Sequence, residues 1–407
     1  DSTSSDVADM VSLPDGDDEE EAHGTSTAVG ADNALGGEQA DIVSVSIVGG
    51  DENNSNSSNE AAPLQVVDDA GNDEGEKSRL RRMDNVYKKL YKYHPPAISK
   101  STTESESANN GVDVDKVTID DSCGSSPDFD SFFSQSFRLR SGNAEDQIIF
   151  ETFFKDDINI DNNSTTSNSH SHQHHYIELG AFDGARESNT RFYEKCLGWE
   201  GLLIEGNPGK GIYDRLVNNR PNSHRMNYVP SCNQTEEDMN KTIGFHARAF
   251  TNSGLEVVDT AYNGLSTVDV PCGTMTQVLL DVFPPHGKVS FFSLDVEGSE
   301  HLVLSKALDL DGRVSFFSLD VEGSEDLVLG KALDLEKVMI EMLMVEVENN
   351  FCLARNDCAV RNKVREHMKK MGYVRFSGKI RYSDVFIRQD SKLLQKAIDQ
   401  GWEESIN

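Results

Sequence analysis

His175-Tyr-Ile-Glu-Leu-Gly-Ala-Phe-Asp-Gly-Ala-Arg-Glu-Ser-Asn-Thr190, with its sequel Gly201-Leu-Leu-Ile-Glu-Gly-Asn-Pro208, decides how the rest of the chain is read. Tyr176 to Leu179 is a short apolar strand, Gly180 and Gly184 break it into a tight turn, and Glu187 to Leu197 has the composition of a helix. A second apolar strand, Leu202 to Ile204, ends in the carboxylate of Glu205. Strand, glycine turn, helix, strand and acid make half of a nucleotide-binding βαβ unit. The glycines let the backbone approach a ligand, and the acid can accept hydrogen bonds from a ribose diol.

The turn departs from the dinucleotide pattern, which wants three glycines spaced G-x-G-x-x-G and helix N–H groups facing a pyrophosphate. Here it reads Glu178-x-Gly180-x-x-Asp183-Gly184, with carboxylates where phosphates would be repelled. A cationic, phosphate-free nucleoside suits it better, and S-adenosyl-L-methionine is the common one. The plain alternative is an acidic strand-turn-helix with no ligand.

Glu178-Leu-Gly-Ala-Phe-Asp-Gly184, Ser188-Asn-Thr190, Leu197-Gly-Trp-Glu-Gly-Leu-Leu-Ile-Glu205 and Leu294-Asp-Val-Glu-Gly-Ser-Glu300 together resemble the FkbM-type S-adenosylmethionine-dependent methyltransferases. The likeness runs from about Ser141 to Arg388, and it lies in the order and spacing of the motifs rather than in any one of them. It implies an α/β, Rossmann-like class I methyltransferase fold, a mostly parallel sheet closed by an antiparallel hairpin. It further implies that Glu178, Gly180, Ala181, Asp183, Gly184, Asn189 and Glu205 bind the cofactor, and that the acceptor is a hydroxyl on a glycan or small metabolite.

Composition divides the 407 residues unevenly. Residues 1–80 hold 20 acids against Lys77 and Arg79, a net −18 out of −32 for the whole chain, and they are nearly free of aromatics. Such a segment cannot bury enough apolar surface to offset its ordering entropy. The expected organisation is therefore a disordered acidic tail with a short basic helix over 1–127, a methyltransferase domain over 128–390 and a C-terminal tail over 391–407. The charge disfavours nucleic acid, since a phosphate backbone would be repelled. No run of about 18 apolar residues is present to span a membrane. Because the chain begins at Asp1, a leader or anchor could have been removed or never included.

Cys123, Cys196, Cys232, Cys272, Cys352 and Cys358 show no C-x-x-C spacing, which argues against a zinc site. Cys352 with Cys358, and Cys232 with Cys272, could form disulfides, free buried thiols being the equal alternative. Asn-x-Ser/Thr sequons at Asn53, Asn56, Asn162, Asn163, Asn233 and Asn240 lean with the cysteines towards a secretory or Golgi lumen, the cytoplasm being the alternative. His170, His172, His174 and His175 sit in an Asn/Ser-rich insert without acid or thiol partners at defined spacing, so no metal site is assigned.

Arg79 to Lys92 is a basic, weakly amphipathic stretch, read as a solvated helix or a counter-ion for the tail in preference to a docking helix. Asn143 to Phe154 has helical apolar spacing. Beyond Glu205 the pattern gives a helix over Tyr213–Asn219, strands over Arg225–Val229 and Ile243–Phe250, and a helix over Met275–Val282. It closes with a strand over Met342–Val347, a helix over Ala359–Met371 ended by Gly372, and two strands at Tyr373–Phe376 and Asp384–Ile387.

Residues 288–312 are followed at once by a near copy, 313–337. Each copy is a strand ending in Asp-Val-Glu-Gly-Ser-Glu and then a short helix. Two copies do not make a solenoid, and the family has one such unit. One copy is therefore expected beside the first strand, with the other looped out or added elsewhere. Ligands of open α/β sheets bind beyond the carboxyl ends of the strands. The catalytic candidates are accordingly doubled, Asp295 and Glu297 or Asp320 and Glu322, with one copy expected to act and copy one slightly favoured. Ser299 and Glu300 suit capping of the helix that follows. A catalytically inactive binding or scaffold protein on the same fold is the competing functional reading.

Overall fold

The computed structural model describes residues 73–97, 121–126, 128–156, 174–209, 211–232, 241–247, 254–255, 267–283, 289–296, 300–307, 313–320, 328–329, 335, 338–347 and 358–405. Eleven strands lie among them. β1 (His175–Leu179), β2 (Glu200–Ile204) and β3 (His224–Met226) form the first parallel set. β4 (Thr242–His246), β5 (Gly254–Leu255) and β6 (Val268–Pro271) make a separate antiparallel sheet. β7 (Val289–Asp295), β8 (Arg313–Asp320) and β9 (Met339–Glu346) continue the main sheet in parallel, and β10 (Tyr373–Ile380) with β11 (Ser383–Arg388) closes it as an antiparallel hairpin. The eight-stranded order is β10-β11-β9-β8-β7-β1-β2-β3. This is the mostly parallel, hairpin-closed α/β sheet expected.

Helices cover both faces. In chain order they are α1 (Asp73–Arg82), α2 (Asp130–Phe133), α3 (Glu145–Ile149), α4 (Arg191–Leu197), α5 (Ile212–Asn219), α6 (Met275–Val282), α7 (Glu300–Ala307), α8 (Ala359–Lys370) and α9 (Lys392–Asp399). Side chains alternate across each strand. In β1, Tyr176 enters one core and Ile177 the other. In β7, Phe291 and Phe292 divide the same way. One core joins the sheet to α6, α7 and α8. The other joins it to α3, to the π-helical turn Phe150–Phe154 that extends α3, and to α4 and α9. Burial on both faces is why the central strands read as continuous apolar runs.

One copy lies beside the first strand, as expected, and the other is added elsewhere in the same sheet rather than looped out. Copy one is β7, directly beside β1; copy two is β8, inserted between β7 and β9. Each residue lies opposite its own duplicate, Phe291 by Phe316, Phe292 by Phe317 and Asp295 by Asp320. The physical reason is the identity of the two strands. Val-Ser-Phe-Phe-Ser-Leu-Asp offers the same apolar rows to both cores wherever it sits, so an added strand costs no mismatch. The phenylalanine pairs contact at 4.5 and 4.7 Å between ring centroids.

The basic stretch is corrected. Val86, Tyr87, Tyr91 and Tyr93 are buried in the same core as β1 and β2. Arg82 pairs with buried Asp281 of α6 at 2.7 Å, and Tyr87 Oη donates to the same carboxylate at 2.6 Å. His94 bridges to Arg225 on the open edge of β3. Tyrosines at positions 87, 91 and 93 outweigh the charge of the surrounding lysines and arginines, so the segment docks. Residues 1–72 and 98–120, expected to be disordered, lie outside the described residues, as do the six sequons.

Cys232–Cys272 forms as one of the proposed disulfides. Cys123–Cys196, which tethers the segment before α2 to α4, was not among the expected pairs. Cys358 is disulfide-bonded too, while Cys352 lies outside the described residues. The C-terminal tail contributes α9, which packs with Trp402 onto Phe153 and Phe376. No helix among the described residues is long and apolar enough to cross a membrane.

Candidate active site

The carboxyl ends of β1, β2, β7 and β8, with the chain just beyond β3, open on one cavity of about 220 Å³. Gly180 sets its floor. A Cβ there would stand 1.7 Å from the Asp295 carbonyl oxygen, and φ is +80°, so only glycine lets the ends of β1 and β7 come this close. Phe182 (φ +44°) and Glu187 (φ +56°) hold left-handed conformations without being glycine, and both line the cavity. Backbone strain of this kind collects at ligand sites.

Glu205 projects from the tip of β2 into the cavity while 6% exposed. Its two oxygens accept the Phe182 and Asn207 backbone N–H groups, each at 2.6 Å. Burial pushes its carboxyl up to about 7, against the pull of the Asn207, Phe182 and Gly206 N–H groups and with a small push from Glu178. A carboxylate offers roughly four acceptor positions, so capacity remains for ligand hydroxyls.

Glu178 also lines the cavity, but its carboxylate is committed inward. It accepts Ser188 Oγ at 2.9 Å, Thr190 Oγ1 at 2.6 Å and the Asn189 N–H at 3.1 Å. Arg220 Nη1 reaches it at 3.4 Å. That arginine is fully buried and also donates to Ser188 Oγ, Tyr176 Oη and Thr190 Oγ1 at 2.9–3.0 Å, and to Glu194. Burial opposes its charge, but Tyr176, Glu194 and Glu178 hold the guanidinium firmly protonated. Burial likewise works against the Glu194 carboxylate, yet Arg220 and Ser223 keep it below the usual range. The ion network thereby fixes the turn that follows β1. Asn189 completes it by donating to Ser293 Oγ of β7 at 3.1 Å.

Of the residues read as cofactor-binding, Glu178, Gly180, Ala181, Asn189 and Glu205 line the cavity; Asp183 and Gly184 do not. Asp183 caps the turn instead, its Oδ1 accepting the Ala185 and Arg186 N–H groups at 3.0 Å. Gly184 gives room to the ion network, since a Cβ would meet Arg220 Cγ at 2.6 Å and Leu216 Cδ1 at 2.7 Å. Asp295 and Asp320 both line the cavity, one strand apart. Glu297 and Glu322 lie outside the described residues. Glu300, the first residue of α7, accepts the N–H of Val296 just beyond β7 at 3.0 Å.

The histidine insert is described only at its end. His174 stacks on Trp199 at 4.6 Å and shares a hydrogen bond with Ser290 Oγ, and His175 is buried in β1. Among the described residues no three His, Cys, Asp or Glu side chains are grouped as a metal ion would need.

Sequence reading missed Arg220, Glu194 and the far wall, formed by Tyr228, Val229, Phe245 and Leu255. Arg220 stands 42 residues from Glu178 with no local pattern to mark it. The wall is held by the Val229 N–H donating to the Pro271 carbonyl at 2.9 Å and by the Cys232–Cys272 bond, a contact between distant strands.

No curated protein and no solved structure matches the chain. Residues 178–312 match the model of one family, a span that starts at Glu178 of β1 and stops where copy one of the repeat ends. By that match, over about a third of its length, the chain carries a methyltransferase FkbM domain.

Proposed function

We propose that the protein is an S-adenosyl-L-methionine-dependent methyltransferase that O-methylates a hydroxyl of a glycan or small metabolite. One arrangement supports this above the rest: the Glu205 carboxylate, with acceptor capacity left, inside a cavity at the strand ends of a methyltransferase FkbM domain. Among the described residues, Glu178, Glu187, Glu205, Asp295 and Asp320 line that cavity against one arginine, Arg186. Such a lining would repel phosphate and suits a cationic nucleoside. Glu205 would hold the ribose, Gly180 and Ala181 the approach of the ligand to the backbone, and the bound cofactor would supply an activated methyl group. Glu178 and Asn189 act by fixing the turn.

A hydroxyl acceptor must lose its proton, and a positioned base contributes roughly 10²–10⁴-fold. Asp295 is the proposed base, because its strand is the one seated against β1. Asp320, one strand further out, borders the acceptor. The disulfides suit an oxidising compartment such as a secretory lumen.

Titration calorimetry with S-adenosylhomocysteine, followed by labelled methyl transfer to a panel of glycans and small alcohols, tests the reading. Binding together with transfer to at least one hydroxyl supports it. Binding without transfer to any acceptor overturns the catalytic part, and absence of binding overturns the whole. Within an active enzyme, Asp295→Asn is expected to abolish transfer and Asp320→Asn to leave it within a few-fold. Equal losses would overturn the assignment of the base.

A further inference from the structure

Tyr228 is fully buried and lines the cavity, and its hydroxyl has no hydrogen-bond partner among the described residues. Six other buried tyrosines make the contrast. Tyr87 donates to Asp281, Tyr176 to Glu194, Tyr193 to the Asp146 carbonyl, Tyr213 to the Lys92 carbonyl and Tyr373 to the Ile340 carbonyl, while Tyr93 Oη is bonded to His224. A buried hydroxyl without a partner is destabilising, and native structures keep few of them. Burial also holds this phenol protonated, so it can both donate and accept.

The ring is fixed from outside the family-matched span. Tyr91 stacks on Tyr228 at 4.2 Å and 8° between planes, and Tyr87 stacks on Tyr91 at 5.7 Å. Arg82 and Tyr87 then anchor the stack to Asp281. Tyr228 lies next to Glu205 across the β2–β3 pair: the Glu205 N–H donates to the Met226 carbonyl at 3.0 Å, and Asn227 Nδ2 donates to the Glu205 carbonyl at 2.7 Å. In a nucleoside the base is joined directly to the ribose. A ribose on Glu205 therefore leaves its base to the neighbouring strand end, where Val229, Phe245 and Leu255 supply apolar walls.

We infer that the Tyr228 hydroxyl is the hydrogen-bond partner of the nucleoside base, held in place by a tyrosine stack from the N-terminal segment; this rests on reading the cavity as the S-adenosylmethionine site. The segment carrying Tyr87 and Tyr91 is thus part of the ligand site although it precedes the family-matched residues. Tyr228→Phe keeps the ring and its stack and removes only the hydroxyl. In the full chain it should bind S-adenosylhomocysteine about three- to tenfold more weakly, the scale of one hydrogen bond. Without ligand it should melt higher, by about 2–6 °C, because an unpaired buried group is gone. The same loss of affinity is expected with adenosine as the probe, which has base and ribose but lacks the amino-acid arm.

Unchanged affinity overturns the inference, even if the melting temperature rises. A lower melting temperature overturns it as well, since the hydroxyl would then have a structural partner. A loss seen with S-adenosylhomocysteine but not with adenosine overturns the assignment to the base. Failure of the wild type to bind S-adenosylhomocysteine is a separate result: it removes the cofactor reading, and this inference with it.

Discussion

Glu205 is the residue on which the ligand reading turns. Its Ala variant is expected to bind S-adenosylhomocysteine about 1.5–3 kcal/mol more weakly, the range for a hydrogen bond to a charged group. Its titration gives a second readout. The folded-state pKa, about 7, is raised above the ordinary 4.5. The folded protein therefore holds this proton more tightly than the unfolded chain. The carboxyl's contribution to stability is complete below 4.5 and lost as pH rises through 7. Ribose hydroxyls would donate to the ionised form, so affinity runs the other way. It should be level above about pH 7 and fall below it, by up to roughly tenfold per unit, while Glu205→Ala shows no such step. A wild-type affinity profile without a step near 7 would mean that the acid has another role. Arg220 makes the complementary case for structure. Arg220→Met leaves Glu194 and Glu178 buried without their cation, and should lower stability by about 3–5 kcal/mol in denaturant unfolding. A loss below about 1 kcal/mol would show that the network is incidental. At this scale the sequence announced Glu205 and Gly180, because strand-tip acid and strand-end glycine are local patterns. It could not show that Asp183 and Gly184 stand outside the cavity lining, because whether a turn residue faces the cavity or its own backbone depends on the packing of α5, a helix distant along the chain.

The elements were largely legible, and the reasons are physical. Two-sided burial writes β1, β2 and β9 as apolar runs, the apolar spacing of Met275–Val282 writes α6, and Gly372, with φ +80°, ends α8 as its position predicted. The small sheet of β4, β5 and β6 was only partly legible, since β5 has two residues and β4 takes its other partner, β6, from well along the chain. The repeat shows the limit of pattern reading. One copy was expected beside the first strand and the other looped out or added elsewhere; the pattern left open which, because a strand whose faces match both neighbours can be inserted into the sheet as a unit. That logic gives a test by excision. Removing 313–337 joins Gly312 to Val338 and leaves β9 facing β7, whose Val289-Ser-Phe-Phe-Ser-Leu-Asp295 offers the rows it met on β8. The shortened protein should fold, melt cooperatively and keep affinity for S-adenosylhomocysteine within a few-fold, because β1, β2, β3 and β7 keep their mutual pairings. An insoluble or molten product would mean that the second copy has become integral to the sheet.

At the scale of the molecule, the question is where the folded unit begins. Charge and composition suggested a start near residue 128, but Val86, Tyr87, Tyr91 and Tyr93 are buried in the core beneath β1 and β2. Four such side chains contribute about 1.5–3 kcal/mol each. Their sum, on the order of 6–12 kcal/mol, rivals the roughly 5–15 kcal/mol by which a typical domain is stable. Composition missed this because a window average dilutes a few tyrosines among many lysines and arginines, while burial is decided residue by residue. Two truncations separate the alternatives. A chain starting at Asp73 keeps α1, the Arg82–Asp281 pair and the tyrosine stack, and should match the full chain in melting temperature to within about 2 °C, the scale of surface changes below about 0.5 kcal/mol. A chain starting at Ile98 loses the segment and exposes Met226, Tyr228 and the edge of β3. It should aggregate or melt at least about 10 °C lower, and any folded fraction should bind S-adenosylhomocysteine poorly, since Tyr228 has lost its support. If both truncations melt with the full chain, the docked segment adds nothing to stability. If the Asp73 start fails as badly as the Ile98 start, then residues before Asp73 are needed for the fold.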